Sequence, residues 1–202
     1  MSTETIQVAY SVMVRLLGEV RALLRDAESI LHKRRFVPIE GNKIGTMHSD
    51  SINSPETWIP PFISRCFKLE SESVGVPVWV LLVTCHFADY RKKGEADEPY
   101  LSLSVVQTHQ SPAPKSWNKT WAQQVFYHGD YKSRSEIEMN GVGMTRQVSR
   151  RADDHTSPSW YRQAFSSTMP FDRLTDRESL EEEIARVEGV LWDYAIQHPL
   201  VP

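Results

Sequence analysis

The chain has 202 residues, of which 40% are hydrophobic and 24% charged, and its net charge is −3. That composition belongs to a globular protein rather than a disordered one, and the weak acidity excludes a wholly basic nucleic-acid coat protein. A folded chain of this size buries about 70% of its unfolded surface, so its core needs neither disulfides nor a metal.

Cys66 and Cys85 are the two cysteines, too few for a disulfide framework. No apolar run approaches the roughly 18 residues that a membrane-spanning helix requires. The longest, Val76-Pro-Val-Trp-Val-Leu-Leu-Val83, has the length of a strand. The opening MSTETIQVAY lacks the basic and apolar regions of a signal peptide, which makes the cytoplasm the expected location. The sequon Asn118-Lys-Thr120 is then expected to be a chance match.

The first element is a long amphipathic helix over 4–34. Ile6, Tyr10, Met13, Leu17, Val20, Leu24, Ala27 and Leu31 recur at alternating spacings of 4 and 3, with a second row of Ala9, Leu16, Leu23 and Ile30 beside them. Thr3 or Thr5 serves as a cap, Pro38 bars continuation, and the helix closes on the basic run His32-Lys-Arg-Arg35. Residues 38–61 hold no period and are rich in turn formers, which predicts a long loop.

The period then changes to two. Strands are predicted over 62–70, 77–88 and 100–109, joined as an antiparallel meander of at least three strands. The second is apolar on both faces and belongs mid-sheet, whereas the third alternates Leu101, Leu103 and Val105 with Ser102 and Ser104. A two-residue turn at Gly75-Val76 would set Cys66 opposite Cys85, but Pro77 lacks the amide that closes such a turn. A longer turn moves the cysteines out of register, and both read as buried, inert thiols.

Residues 110–170 form a mixed region. Ser116 caps a short helix carrying Trp117 and Trp121, Asn140-Gly141 marks a type I′ hairpin, and Ser157-Pro158 opens another short helix through Phe165. A final helix over 176–197 follows the capping-box pattern Thr175-Asp-Arg-Glu178, with Leu180, Ile184, Val187, Leu191 and Tyr194 as its stripe. The whole is expected to be one α+β domain: a central antiparallel sheet packed against the two long helices, themselves paired antiparallel with acid beside base.

No phosphate loop, dinucleotide fingerprint, zinc-protease motif or nucleophile elbow occurs, and no cofactor is expected. The leading expectation is therefore a non-enzymatic regulatory, adaptor or inhibitor-type protein that works through protein–protein contacts, with a homodimer as one form of that contact. Its contact residues would be Leu16, Leu23 and Ile30 on the second helical row and Arg34 and Arg35 at the basic end. The first helix is longer than the last, so part of its stripe should stay free for a partner.

Two alternatives come from other classes. Region 115–151 mixes aromatics with cations, and Lys115, Trp117, Lys119, Lys132, Arg134, Arg146, Arg150 and Arg151 would be its nucleic-acid contacts. Bases stack on aromatic rings while cations follow the backbone. The i, i+4 spacing of Trp117 and Trp121 equally suits a core position. His128, Asp130, Asp154 and His155 supply the imidazole and carboxylate ligands of a hydrolytic metal site, provided the fold brings them together. His86 near a strand end is more simply a satisfied histidine.

Overall fold

The computed structural model describes residues 3–46, 60–71, 78–87, 98–108, 116–122, 125–126, 131–149 and 161–198. In chain order they form α1 (Thr3–Lys33), β1 (Phe36–Pro38), β2 (Gly45–Thr46), β3 (Phe62–Leu69), β4 (Trp79–His86), β5 (Tyr100–Thr108) and α2 (Trp117–Ala122). Then come β6 (Tyr131–Met139), β7 (Val142–Ser149), β8 (Tyr161–Pro170), a short 3-10 turn (Phe171–Arg173) and α3 (Arg177–Gln197). All eight strands join one antiparallel sheet in the order β1-β3-β4-β5-β8-β7-β6, with β2 also on β3.

The expected meander is thus the centre of a wider sheet. β2 is a short strand inside the stretch expected to be a loop, β1 ends where that stretch begins, and each is antiparallel to β3. The larger correction concerns 161–165, expected as the end of a helix opened by Ser157-Pro158. That stretch begins β8, paired on one side with β5 and on the other with β7. Partners on both sides satisfy its backbone, and the cores on the two sheet faces take up Phe165 on one side and Tyr161 and Ala164 on the other, so tertiary context overrides the local helix signal.

Register sorts the side chains into two layers. On one face Leu81, Val83, Leu101, Leu103, Val105 and Phe165 meet the stripes of α1 and α3 in a single core. The other face carries Phe62, Cys66, Val80, Leu82 and Tyr161, against which α2 packs Trp117 and Ala122. Cys66 pairs in register with Leu82, and Cys85 with Ile63, so the two thiols lie on opposite faces as free, buried cysteines. Burial pushes the Cys85 thiol up to about 12, and burial with the nearby Glu40 pushes Cys66 well above its usual range, which suits inert thiols.

The expected I′ turn is present, with Asn140 at φ 53° and Gly141 at φ 72°, joining β6 to β7. At Cys66 the edge of β3 is paired by neither β1 nor β2, and Asn118 of α2 fills the gap. Its Oδ1 accepts from the Cys66 N–H (2.6 Å), its Nδ2 donates to the Lys43 carbonyl (3.0 Å), and its own carbonyl accepts from Ser64 Oγ (2.6 Å). Gly45 is required beside it because a Cβ there would collide with the backbone of Asn118 and Lys119. Asn118 is buried and its amide engaged, so the sequon offers no free glycan acceptor in the folded chain.

α3 starts one residue later than the sequence pattern suggests. Asp176 is the cap, accepting from the Ser179 N–H (2.8 Å), while Ser179 Oγ accepts from the Asp176 N–H (3.1 Å). These hydrogen bonds to Ser179 hold the Asp176 carboxyl below its usual 3.8. A depressed carboxyl stabilises the fold above its unfolded pKa and loses that contribution as pH falls through the folded value. Asp176→Ala should therefore lower the unfolding midpoint at neutral pH, with the difference from wild type closing as pH drops below about 3.8; calorimetry across that range checks it.

The two long helices touch each other and the same sheet face, but they run in the same direction, which corrects the expected antiparallel pairing. Contacts climb both together: Arg177 reaches Asp26 (3.3 Å) and Ser29 (2.9 Å), Lys33 meets Glu181 (2.7 Å), and Arg34 meets Glu188 (2.7 Å). Phe36 then packs edge-on against Trp192 at 5.4 Å. The cause is strand parity. Four antiparallel steps separate β1 from β8, so those strands run alike; α1 turns tightly into β1 and α3 follows β8, so both helices run opposite to them. The expected acid-beside-base contacts do form. Glu188 is held above its usual range by burial, against the opposing hydrogen bond from Arg34.

Candidate interaction surface

The stripe of α1 divides in the middle. Val20, Leu24, Ala27, Ile30 and Leu31 are buried in the main core, whereas every residue from 3 to 19 is exposed. Eight large apolar side chains between Ile6 and Leu17 are 40–69% exposed. At 3.6 residues per turn they cover an arc of about 240°. Glu4, Gln7, Ser11 and Arg15 form the polar strip opposite it, and Thr3, Thr5 and Glu19 interrupt the arc near its ends. The uncovered half precedes Val20, the first buried residue of α1, and Asp26, which bonds to Arg177 at the start of α3.

Where the packed half begins, a groove of about 330 Å³ runs between α1 and the β2–β3 edge. Leu17, Val20 and Leu24 form one wall, with Ile44 and Ile63 opposite. Arg21, Arg25 and Arg65 stand around it. Arg65 is buried and committed: it forms two bonds to Glu28 (2.6 and 3.3 Å), donates to the Gly41 carbonyl and lies 5.7 Å over the Phe67 ring. Arg21 and Arg25 are exposed and make no ion pair among the described residues.

Among the residues expected to touch a partner, Leu16 is exposed on the uncovered half, and Leu23 is partly buried against the core. Ile30 is 1% exposed, inside the core, and offers nothing to a partner. Its row rotates inward once the sheet and α3 close over α1. Arg34 is engaged with Glu188. Arg35 takes the left-handed conformation that ends α1 (φ 66°), and its carbonyl accepts from the Glu70 N–H at 2.8 Å. The exposed stretch 6–17 is the free part of the stripe that the length of the first helix implies, whereas Ile44 and the arginine pair at 21 and 25 were not among the expected residues. The i, i+4 spacing of Arg21 and Arg25 beside the stripe was the available signal.

Among the described residues the nucleic-acid candidates do not share a face. Trp117 is a core residue under α2 on one side of the sheet. Arg146 lies on the opposite side, bonded to Gln163 (2.9 Å) and placed over Phe165. Arg134 is exposed on β6 beside Glu136, and Lys119 is exposed on α2. Lys115, Arg150, Arg151 and the side chain of Lys132 lie outside the described residues. The same holds for His128, Asp130, Asp154 and His155, and among the described residues no three His, Cys, Asp or Glu side chains gather as a metal site. His86 shares a 2.9 Å hydrogen bond with Ser102, stacks on Tyr100 and meets the edge of Phe126. Ser102 is fully buried mid-strand, so the pair is a satisfied core contact rather than an exposed nucleophile and its base.

No described helix is long and apolar enough to cross a membrane. The chain matches no family model, no curated protein and no solved structure.

Proposed function

We propose that this chain works by binding a protein partner through the uncovered half of α1, in the manner of a regulatory or adaptor protein. The carrying observation is the apolar arc of residues 6–17, standing clear of the body. A helix that is apolar nearly all round is ordinarily buried. The arc presents on the order of 700 Å² per chain, close to the roughly 800 Å² each partner contributes to a standard interface. Lipid suits it less: helices lying on a membrane surface carry a face rich in Lys and Arg, and residues 3–19 offer Arg15 against Glu4 and Glu19.

The test is a triple substitution, Val8→Glu, Val12→Glu and Leu16→Glu, made where no core contact is lost. Wild type should purify from its native cells in stoichiometric association with a protein, itself or another, while the variant comes out alone but folded, with the circular dichroism of wild type separated from its partner. Wild type that is monomeric at high concentration and accompanied by nothing would end the proposal.

A further inference from the structure

We infer that the protein on the uncovered half of α1 is a second copy of this chain, the two α1 helices crossing antiparallel so that each arm lies in the other's groove. The inference rests on the partner-binding reading above and names its occupant.

Three observations favour it. First, the arc is too wide for one flat neighbour, and the groove offers two walls, one from α1 and one from Ile44 and Ile63. An arm seated there would be covered on both sides. Second, the stripe repeats at 4, 3, 4, 3, 4 from Ile6 to Leu24, a palindrome centred on Arg15, which points to the opposite side of the helix. Reversed on itself about that point, it sets Met13 against Leu17 and carries Tyr10 and Ile6 into the groove, whose wall Val20 and Leu24 form with the small surface they leave open. Every layer is apolar, and the two-fold repeats each contact, as an isologous interface demands. Third, two arms at about 700 Å² each amount to roughly 1,400 Å², within the 1,200–2,000 Å² of stable interfaces.

Direction follows from where the bodies lie. A parallel pair would lay arm on arm and push the two bodies together, leaving both grooves empty. In the antiparallel pair Arg21 flanks the Val20 layer, where the Tyr10 ring of the other copy arrives, and an arginine over an aromatic face is favourable.

Light scattering on the full chain should give twice the monomer mass. Ile44→Glu and Arg21→Glu alter the groove at exposed positions, and each should weaken the dimer by about tenfold or more, with a midpoint equal to that of wild type diluted to monomer, since losing a partner of the folded state by itself lowers the midpoint. Two separately monomeric variants, Val12→Glu/Leu16→Glu with a spoiled arm and Ile44→Glu with a spoiled groove, should form a heterodimer on mixing, since one intact arm still finds one intact groove. A dimer indifferent to both groove substitutions, or no heterodimer on mixing, overturns the exchange. A monomer that loses a different co-purifying protein in the Val8/Val12/Leu16 variant overturns the second copy and leaves the partner reading standing; a monomer that binds nothing overturns both.

Discussion

Glu28→Ala should destabilise the fold by about 3 kcal/mol, a large share of the 5–15 kcal/mol that holds a domain together. Its carboxylate is the counter-ion of Arg65, whose side chain is only 5% exposed. Removing one partner of a buried pair leaves an uncompensated charge in the core, which costs more than the pair itself contributes. The companion change distinguishes this cause from lost packing. Glu28→Ala with Arg65→Met removes both charges and keeps the stem volume against Phe67, so it should recover most of the loss. Denaturant unfolding of the two variants checks the prediction; equal destabilisation in both would place the effect in packing instead.

Asn118→Ala should cost about 1–3 kcal/mol, chiefly because it strands the buried Cys66 N–H, and it also removes the donor to the part-buried Lys43 carbonyl. Asn118→Asp is the sharper experiment. It keeps the acceptor for Cys66 but turns an oxygen toward the Lys43 carbonyl, near the Glu40 carboxylate that accepts from the Asn118 N–H at 2.7 Å. An isosteric change should therefore fail about as badly as the truncation. Thermal unfolding at neutral pH gives the comparison, and an aspartate variant as stable as wild type would show that the amide donor contributes nothing.

What the sequence disclosed follows from how local each signal is. The α1 stripe, the strands that carry Val80 and Leu103 and the Asn140-Gly141 turn are written in spacing or in a dipeptide, and the structure has all of them. β8 was missed because Ser157-Pro158 speaks for a helix while the neighbours that make 161–170 a strand are β5 and β7, remote in sequence. Helix direction was missed for a related reason: charge pairs fit either sense, and only strand parity decides between them. The Asn118 network was illegible because its partners, Lys43, Ser64 and Cys66, come from three other places in the chain.

The uncovered half of α1 was legible only as a surplus of stripe. Ile6, Tyr10, Met13 and Leu17 continue the pattern of Val20, Leu24, Ala27 and Leu31 without a break, so period alone cannot say where cover stops. Cover begins at Val20, where the β2–β3 edge comes alongside α1.

Residues 3–19 include Val8, Val12, Val14 and Gly18, all weak helix formers, with Gly18 alone costing about 1 kcal/mol relative to alanine. A segment this short is marginally helical in water when nothing leans on it. Its coil is therefore propagated from the anchored turns that follow, and the chain meets whatever covers it with an element only partly paid up in conformational entropy. Association here would complete secondary structure as well as bury surface, so recognition and local folding are one event.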